Sequence, residues 1–408
     1  MVGPNRFGLN IRDYLLDSNG YYKGVFALAD NNNNIMCNGY EYGLGTNGSF
    51  NTTYNKVFAP WTNPSTHTWG NQPTNFEMQV ISQNGNTIHA HFYLGNMTIT
   101  ENTTLSAGTY HFNGNITVAS GITLTIDPGA TLVFSDGTSL TSHGMITAVG
   151  TSSQPVTFTG NSWGTISLSG SGANGSTFGY VNVQNNTSLS ASNVSNVSIQ
   201  NCTFTNSTGN AIAFSSSSGS VTNTTITNSN TNGNGIWISS SSSVDCKSNT
   251  ITKTGSGLHT GAGIYYYGGS DGNATQNDIS GFNFGLASVR FSSAGSHDSY
   301  YHERNNRIRN CNVGLMVGWG SYLYFGDPPP SDYMWNSIYS NTWNAKVGTT
   351  WPYQCGLVAY GNWWGAAPPP SNYQAGSSSY FYFTPYLSSD PGPGTPLLQH
   401  HNRLPKRR

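Results

Sequence analysis

Chemistry has few places to reside in this chain. Only 8% of its 408 residues are charged, and none lies between Asp136 and Asp245. In the repeat region the charged side chains and histidines gather late, at Asp245, Lys247, Lys253, Asp271, Asp278, Arg290, His297, Asp298, His302, Glu303, Arg304, Arg307 and Arg309. The run from His297 to Arg309 brings imidazole, carboxylate and guanidinium groups together, the mixture from which shifted pKa values and general acid–base catalysis arise. His297, His302, Glu303 and Arg307 are the candidate set if the protein is an enzyme. A solvated loop is the favoured reading, because charge runs usually face water.

A metal centre finds little support. His302-Glu303-Arg304-Asn305-Asn306 begins as the zinc motif HExxH does but lacks the second His, and no HExxH occurs elsewhere. His89 and His91 sit two apart on a predicted strand and so share a face, but no third ligand can be named, and they read as surface histidines. The five cysteines contain no CxxC pair, so neither a zinc knuckle nor a redox motif is present, and buried small residues are the expectation. Asp245, Asp271 and Asp278 do not recur at one offset from the repeat landmarks, which leaves no carboxylate column to gather calcium. No cofactor is expected.

Aromatic residues offer a second kind of chemistry. If Ile236 and Ile264 point inward, strand alternation turns Trp237, Tyr265 and Tyr267 outward, with Met316 in the same column two coils on. Flat rings beside Ser and Asn are what neutral glycans stack on, so these three are the candidate carbohydrate-binding residues. The other reading stands equally: the insertions at 318–334 and 341–355 fold over this face and bury it.

The elements that position these residues are repeats. One unit recurs six times from Val197 to about Gly361. Its first landmark is Phe204, Ile226, Ile251, Ile279, Ile308 and Ile338, in steps of 22, 25, 28, 29 and 30 residues. Its second is an apolar residue after a small one: Ile212, Ile236, Ile264, Leu286, Leu315 and Leu357. Each unit thus reads as two short apolar strands. Asn recurs two residues before the first landmark, at Asn249, Asn277, Asn306 and Asn336, and two after it at Asn206, Asn228 and Asn310. Strands stacked about 4.8 Å apart bring such columns into register as amide ladders. Asn, Ser, Thr and Gly are poor helix formers, so a helical solenoid is disfavoured and an all-β, right-handed parallel β-helix is expected.

The rest of the chain divides around it. Residues 1–96 read as a small β-rich region, with alternating runs at Phe76–Val80 and Ile88–Phe92. The solenoid is expected over 97–365, a C-terminal cap over 366–394 and a disordered basic tail over 395–408, where four of the 15 basic residues fall in the last six positions. With no Lys or Arg through its middle and a formal net charge of −1, the chain is not read as a nucleic-acid binder. No run of 18 apolar residues exists, so no membrane span is expected. The composition looks extracellular although Met1 to Gly20 lacks signal-peptide features, and the chain reads as a piece of a longer secreted or cell-surface protein.

Three stretches carry resemblances. "GNITVASGITLTIDPGATLVFSDGTSLTSHGMITAVGTSSQPVTFTG" resembles the opening coils of secreted bacterial right-handed β-helix repeat proteins, the pectate-lyase-like group in the broad sense. "YGNWWGAAPPPSNY" with "YFYFTPYLSSDPGPG" resembles their closing segment, in which Trp363 and Trp364 are read as covering the last coil rather than as a sugar platform. "FAPWTNPSTHTWGNQPTNFEMQVISQNGNTIHAHF" resembles the β-rich C-terminal part of immune-inhibitor-A-type metallopeptidases. The first two imply fold more than activity. Enzymes of the group that cleave acidic polysaccharides typically hold calcium on carboxylates and use Arg or Lys as base, but Lys253 falls in the Asn206, Asn228, Asn310 column and reads as a turn residue with its ammonium in water. The expectation is therefore a non-catalytic spacer or carbohydrate-binding module whose partner is a polysaccharide or cell-surface glycan. Two alternatives remain: a polysaccharide lyase or glycoside hydrolase, for which calcium would be possible, and an accessory segment of a secreted peptidase.

Overall fold

The structure is a computed structural model. It describes residues 34–37, 40–43, 57–58, 76–84 and 87–94 as strands, and residues 96–390 apart from 229–232, 255–259, 296–304, 325–335, 349–353, 367–370, 378 and 385. In the N-terminal region Asn34–Cys37 pairs antiparallel with Tyr40–Gly43, and Val57–Phe58, Phe76–Asn84 and Thr87–Leu94 form an antiparallel sheet whose register shifts between Val80 and Ser82. Both alternating runs are strands, as their period demands. The side chains of His89 and His91 lie outside the described residues.

The chain divides into two compact units, Met1–Ser198 with Thr205–Thr208, and Ile199–Phe204 with Gly209–Arg408. Each contains parallel β-solenoid coils of three strands. In the first unit, Ile116, Leu140, Ile166 and Leu189 stand in one register column, each at most 2% exposed. Phe134 stacks on Trp163 with centroids 4.6 Å apart, and the indole donates to Gln184 O at 2.7 Å. The turn at Asp127-Pro128-Gly129 closes through Ala130 N–H to Asp127 O at 3.2 Å, with Gly129 at φ +82°.

In the second unit a coil runs, for example, Ile236–Ser239, Ser243–Lys247, Thr250–Lys253. Its third strands hold Ile226, Ile251, Ile279, Ile308 and Ile338 in a single column. Its first strands align Ile212, Ile236, Ile264, Leu286 and Leu315, followed by Ala345. Two corrections follow. Each unit has three strands, not two. Leu357 belongs to the second strands, opposite Leu323, because its Gly-apolar pair repeats the pattern of a different sheet.

The Asn ladder is present and longer than the repeats suggested. Asn249, Asn277, Asn306, Asn336 and Asn362 are each at most 1% exposed. Both the backbone N–H and the amide of one rung donate to Oδ1 of the next, at 2.8 to 3.2 Å throughout. The amides of Asn249, Asn277 and Asn306 also donate to Val221 O, Cys246 O and Ala274 O. This satisfies corner backbone that burial would otherwise leave unpaired.

The glycine before four of the first-strand landmarks, Ile236, Ile264, Leu286 and Leu315, has a steric cause. A Cβ on Gly235, Gly263, Gly285 or Gly314 would stand 2.5, 2.3, 2.3 or 2.9 Å from the Cγ2 methyl of Ile251, Ile279, Ile308 or Ile338. The glycine column and the isoleucine column are therefore one packing unit.

Cys202, Cys246, Cys311 and Cys355 are buried. Burial pushes Cys246 up to about 12 and Cys311 up to about 11. At the C-terminal end, Trp364 is 3% exposed and packs edge-on against Phe381 and Phe383. Strands Tyr373–Ala375 and Tyr380–Tyr382 continue two of the sheets beyond residue 365. The segment 395–408 lies outside the described residues.

Lys253 departs from its sequence reading. It is 5% exposed, with Nζ 3.4 Å from Gly233 O and 5.7 Å from the centre of the Phe282 ring. Position in the Asn column fixed its place on the strand but not the direction of a much longer side chain. Burial lowers the pKa of the amine, so the unfolded chain binds this proton more readily than the folded one. Stability contributed through Lys253 is lost as pH falls below the ordinary lysine range and regained as pH rises towards it. Lys253→Met is expected to stabilise by about 1 kcal/mol at neutral pH, since an apolar replacement of a buried charge often does. It should also flatten the alkaline rise in a urea-denaturation series. A variant less stable than the parent at pH 7 would contradict this account.

Candidate functional site

The site is built on the outer face of the first strands in the second unit. Ile236 and Ile238 turn inward, which leaves Trp237 outward, and on the next coil Ile264 and Tyr266 are buried while Tyr265 and Tyr267 face out. Trp237 and Tyr265 are register partners. The three rings form one cluster: Trp237 meets Tyr265 edge-on at 4.8 Å and stacks on Tyr267 at 5.3 Å and 28°, and Tyr265 meets Tyr267 edge-on at 6.0 Å. Burial, reinforced by Tyr267, pushes Tyr265 up to about 12, so its phenol stays neutral.

The same column continues through Ala287, Met316 and Lys346. Here the face closes. Met316 is 6% exposed, contrary to the exposed position expected for it, because it sits in an apolar cluster with Ala262, Ala287, Val289 and Val313, against which Tyr265, Tyr267, Phe284 and Trp343 pack. The ranges 318–334 and 341–355 are not wholly insertions, since Tyr322–Tyr324 and Trp343–Val347 are strands of later coils.

At the end of the first strands the chain turns through two successive left-handed residues. These are Ser240-Ser241, Gly268-Gly269, Arg290-Phe291 and Trp319-Gly320, with φ between +53° and +78°. The corners stack, with Ser241 N–H donating to Gly268 O, Gly269 N–H to Arg290 O and Phe291 N–H to Trp319 O, at 2.9 to 3.1 Å. Glycine takes this conformation freely, whereas Arg290 and Phe291 hold it at a cost of order 1–3 kcal/mol each. Their side chains are thrown off the corner, and Phe291 is 59% exposed.

The bare Gly268-Gly269 corner between Ser240 and Arg290-Phe291 leaves a cleft of about 440 Å³, lined by Ser240, Tyr267, Gly268, Gly269, Arg290 and Phe291. Arg290 Nη1 donates to the Tyr267 hydroxyl at 2.6 Å, and the guanidinium lies 5.4 Å from the Tyr267 ring centre. One planar donor fork is thus fixed beside a stacked aromatic pair. The cleft offers flat apolar rings, hydroxyls and guanidinium N–H groups. None of its six lining residues is a carboxylate, so the lining itself holds no paired acid and base of the kind glycoside cleavage uses.

Of the charged set, His297, His302 and Glu303 lie outside the described residues. Arg307 is on a third strand, half-buried, opposite Asp278 and with Nε unpartnered. Asp278 instead accepts from Arg309 Nη2 at 2.9 Å. Among the described residues no group of three His, Cys, Asp or Glu is placed to hold a metal ion. Sequence reasoning turned Trp237, Tyr265 and Tyr267 outward, as the strands do, but gave Phe291, Trp319 and the Gly268-Gly269 gap no role, and saw Arg290 only as a charge. Comparing the two residues after each first strand would have exposed the corner column.

Residues 97–180 match the family model described as a pectate-lyase like beta helix domain. No curated protein and no solved structure matches the chain. The matched residues lie in the first unit, so the match bears on the fold and not on the cleft at Tyr267 and Arg290.

Proposed function

We propose that this parallel β-helix is an extracellular or cell-surface module that binds carbohydrate without cleaving it, at the corner formed by Trp237, Tyr267, Arg290 and Phe291. The observation that carries this reading is the Gly268-Gly269 cleft, lined by Tyr267, which stacks on Trp237, and by the Arg290 guanidinium tethered to it, with no carboxylate in the lining. Apolar faces of sugar rings stack on aromatics, and sugar hydroxyls take up planar donors. The remaining length of the solenoid serves as a spacer.

The test is binding to a panel of neutral and acidic oligosaccharides. Trp237→Ala should weaken the bound glycan by a few-fold to about tenfold, the scale of a lost aromatic contact. Tyr267→Phe keeps the ring but releases Arg290 and should cost a smaller factor, with the melting temperature nearly unchanged. Variants that bind as the parent does, or depolymerisation of any panel member, would overturn the reading.

A further inference from the structure

The second strands of the last coils carry a face built from phenols. Tyr322, Gly356 and Tyr380 form one register row, and Tyr324, Val358 and Tyr382 the next. Leu323 and Leu357 are fully buried between them, which directs the tyrosines outward. Gly356 is small for a visible reason, since a Cβ there would lie 2.2 Å from Cζ of Tyr380. The Tyr380 ring therefore lies flat across Gly356 and comes within 6.3 Å of Tyr322, centre to centre. From Tyr380 the series runs to Tyr382 at 5.2 Å, and from there to Tyr360 at 6.0 Å with the last two planes 11° apart.

This face does not behave as core or cap. Tyr324 is 36% exposed and Tyr382 49%, whereas Trp364 at the same end of the chain is 3% exposed. No charged residue occurs in Ser293–Gly295, Tyr322–Tyr324, Gly356–Val358 or Tyr380–Tyr382, the four strands that form it. Among the described residues of these strands an acidic or basic ligand would meet no counter-charge. An uncharged polyol would meet ring faces and phenol hydroxyls, which both donate and accept. Tyr324 and Tyr382 stand two coils apart in one row, about 9.6 Å at about 4.8 Å per coil, close to the length of two pyranose units, so every second sugar of a chain can meet a ring.

We propose that the tyrosine face is a second ligand surface, distinct from the corner cleft, that takes uncharged polysaccharide chains along Tyr324, Tyr382 and Tyr360. The test uses the full chain and isothermal titration with cellohexaose, xylohexaose and chitohexaose, with trigalacturonate as the charged control. At least one neutral hexamer should bind, and Tyr382→Ala should weaken it about three- to tenfold without changing the melting temperature. Gly356→Ala displaces only the far end of the Tyr380 ring and should alter the same affinity at least twofold. Tyr382→Ala should produce the same loss in a Trp237→Ala background, so that failure of the corner cleft is read separately. Binding of none of the three hexamers, unchanged affinity in both variants, or preference for trigalacturonate would each overturn the proposal. So would sedimentation showing a dimer that Tyr382→Ala dissociates while glycan affinity stays unchanged, since the face would then join two copies of the chain.

Discussion

Asn277→Ala is expected to destabilise the protein by roughly 3 to 5 kcal/mol, a large part of the 5–15 kcal/mol typical of a folded domain. The side chain serves three neighbours. Its Oδ1 accepts from the backbone N–H and the amide of Asn249, and its Nδ2 donates to Cys246 O and to Asn306 Oδ1. Alanine leaves the Asn249 N–H buried without this acceptor, at a cost of about 1–3 kcal/mol, and takes one donor from the Cys246 carbonyl. The remaining bonds lose one partner of two. Asn277→Asp separates the roles, because a carboxylate can still accept from Asn249 but cannot donate, and it brings a charge into a buried column. It should be no better than alanine at neutral pH and should recover as pH falls and the acid is protonated. Urea midpoints followed by circular dichroism decide this, and a loss under about 1 kcal/mol for alanine would show that the ladder is ornamental.

Gly263→Ala is expected to cost roughly 2 to 3 kcal/mol, the upper part of the range of about 1–3 kcal/mol for overpacking. The new methyl would stand 2.3 Å from Ile279 Cγ2 and 2.8 Å from Gly285 O, and that second contact is backbone held in the sheet. Ile279→Ala alone opens a cavity at a fully buried site and should cost about 2 to 5 kcal/mol. Combined, the two changes refill part of that space. The double variant should be more stable than the sum of the singles predicts by at least about 1 kcal/mol, the size of coupling expected between touching residues. Strict additivity would mean that the glycine and isoleucine columns do not pack against each other.

Legibility followed the side chains that repeat in kind. Ile251, Ile279, Ile308 and Ile338, with the asparagines two residues before them, recur as the same residue because each must fit its copy on the next coil, so spacing alone revealed them. The second strands were missed for the opposite reason. Ser243–Lys247 and Asp271–Thr275 alternate a few small inward residues, such as Val244, Cys246 and Ala274, with exposed polar ones, and the apolar signal is too thin to separate from turn. The aromatic part of the site was readable from strand alternation. Its corner was not, since Arg290 and Phe291 are not residues that announce a left-handed turn, and the stacking of each corner on the next is what holds them there. Lys253 shows the limit of column logic for a side chain long enough to choose its own direction.

The rung-to-rung bonding of the asparagines also bears on how such a chain can change in length. From Asn249 to Asn277 is one period of 28 residues, and within it lie an isoleucine for the core, the glycine that admits the next isoleucine, and Tyr265 and Tyr267. A tandem duplication of residues 249–276 would insert a rung whose donors and acceptors are met by its own copies on either side, without any distant residue having to adjust. Coils with their outward aromatics can therefore be gained or lost in whole steps, and the length of the solenoid becomes a quantity that recombination can set one coil at a time.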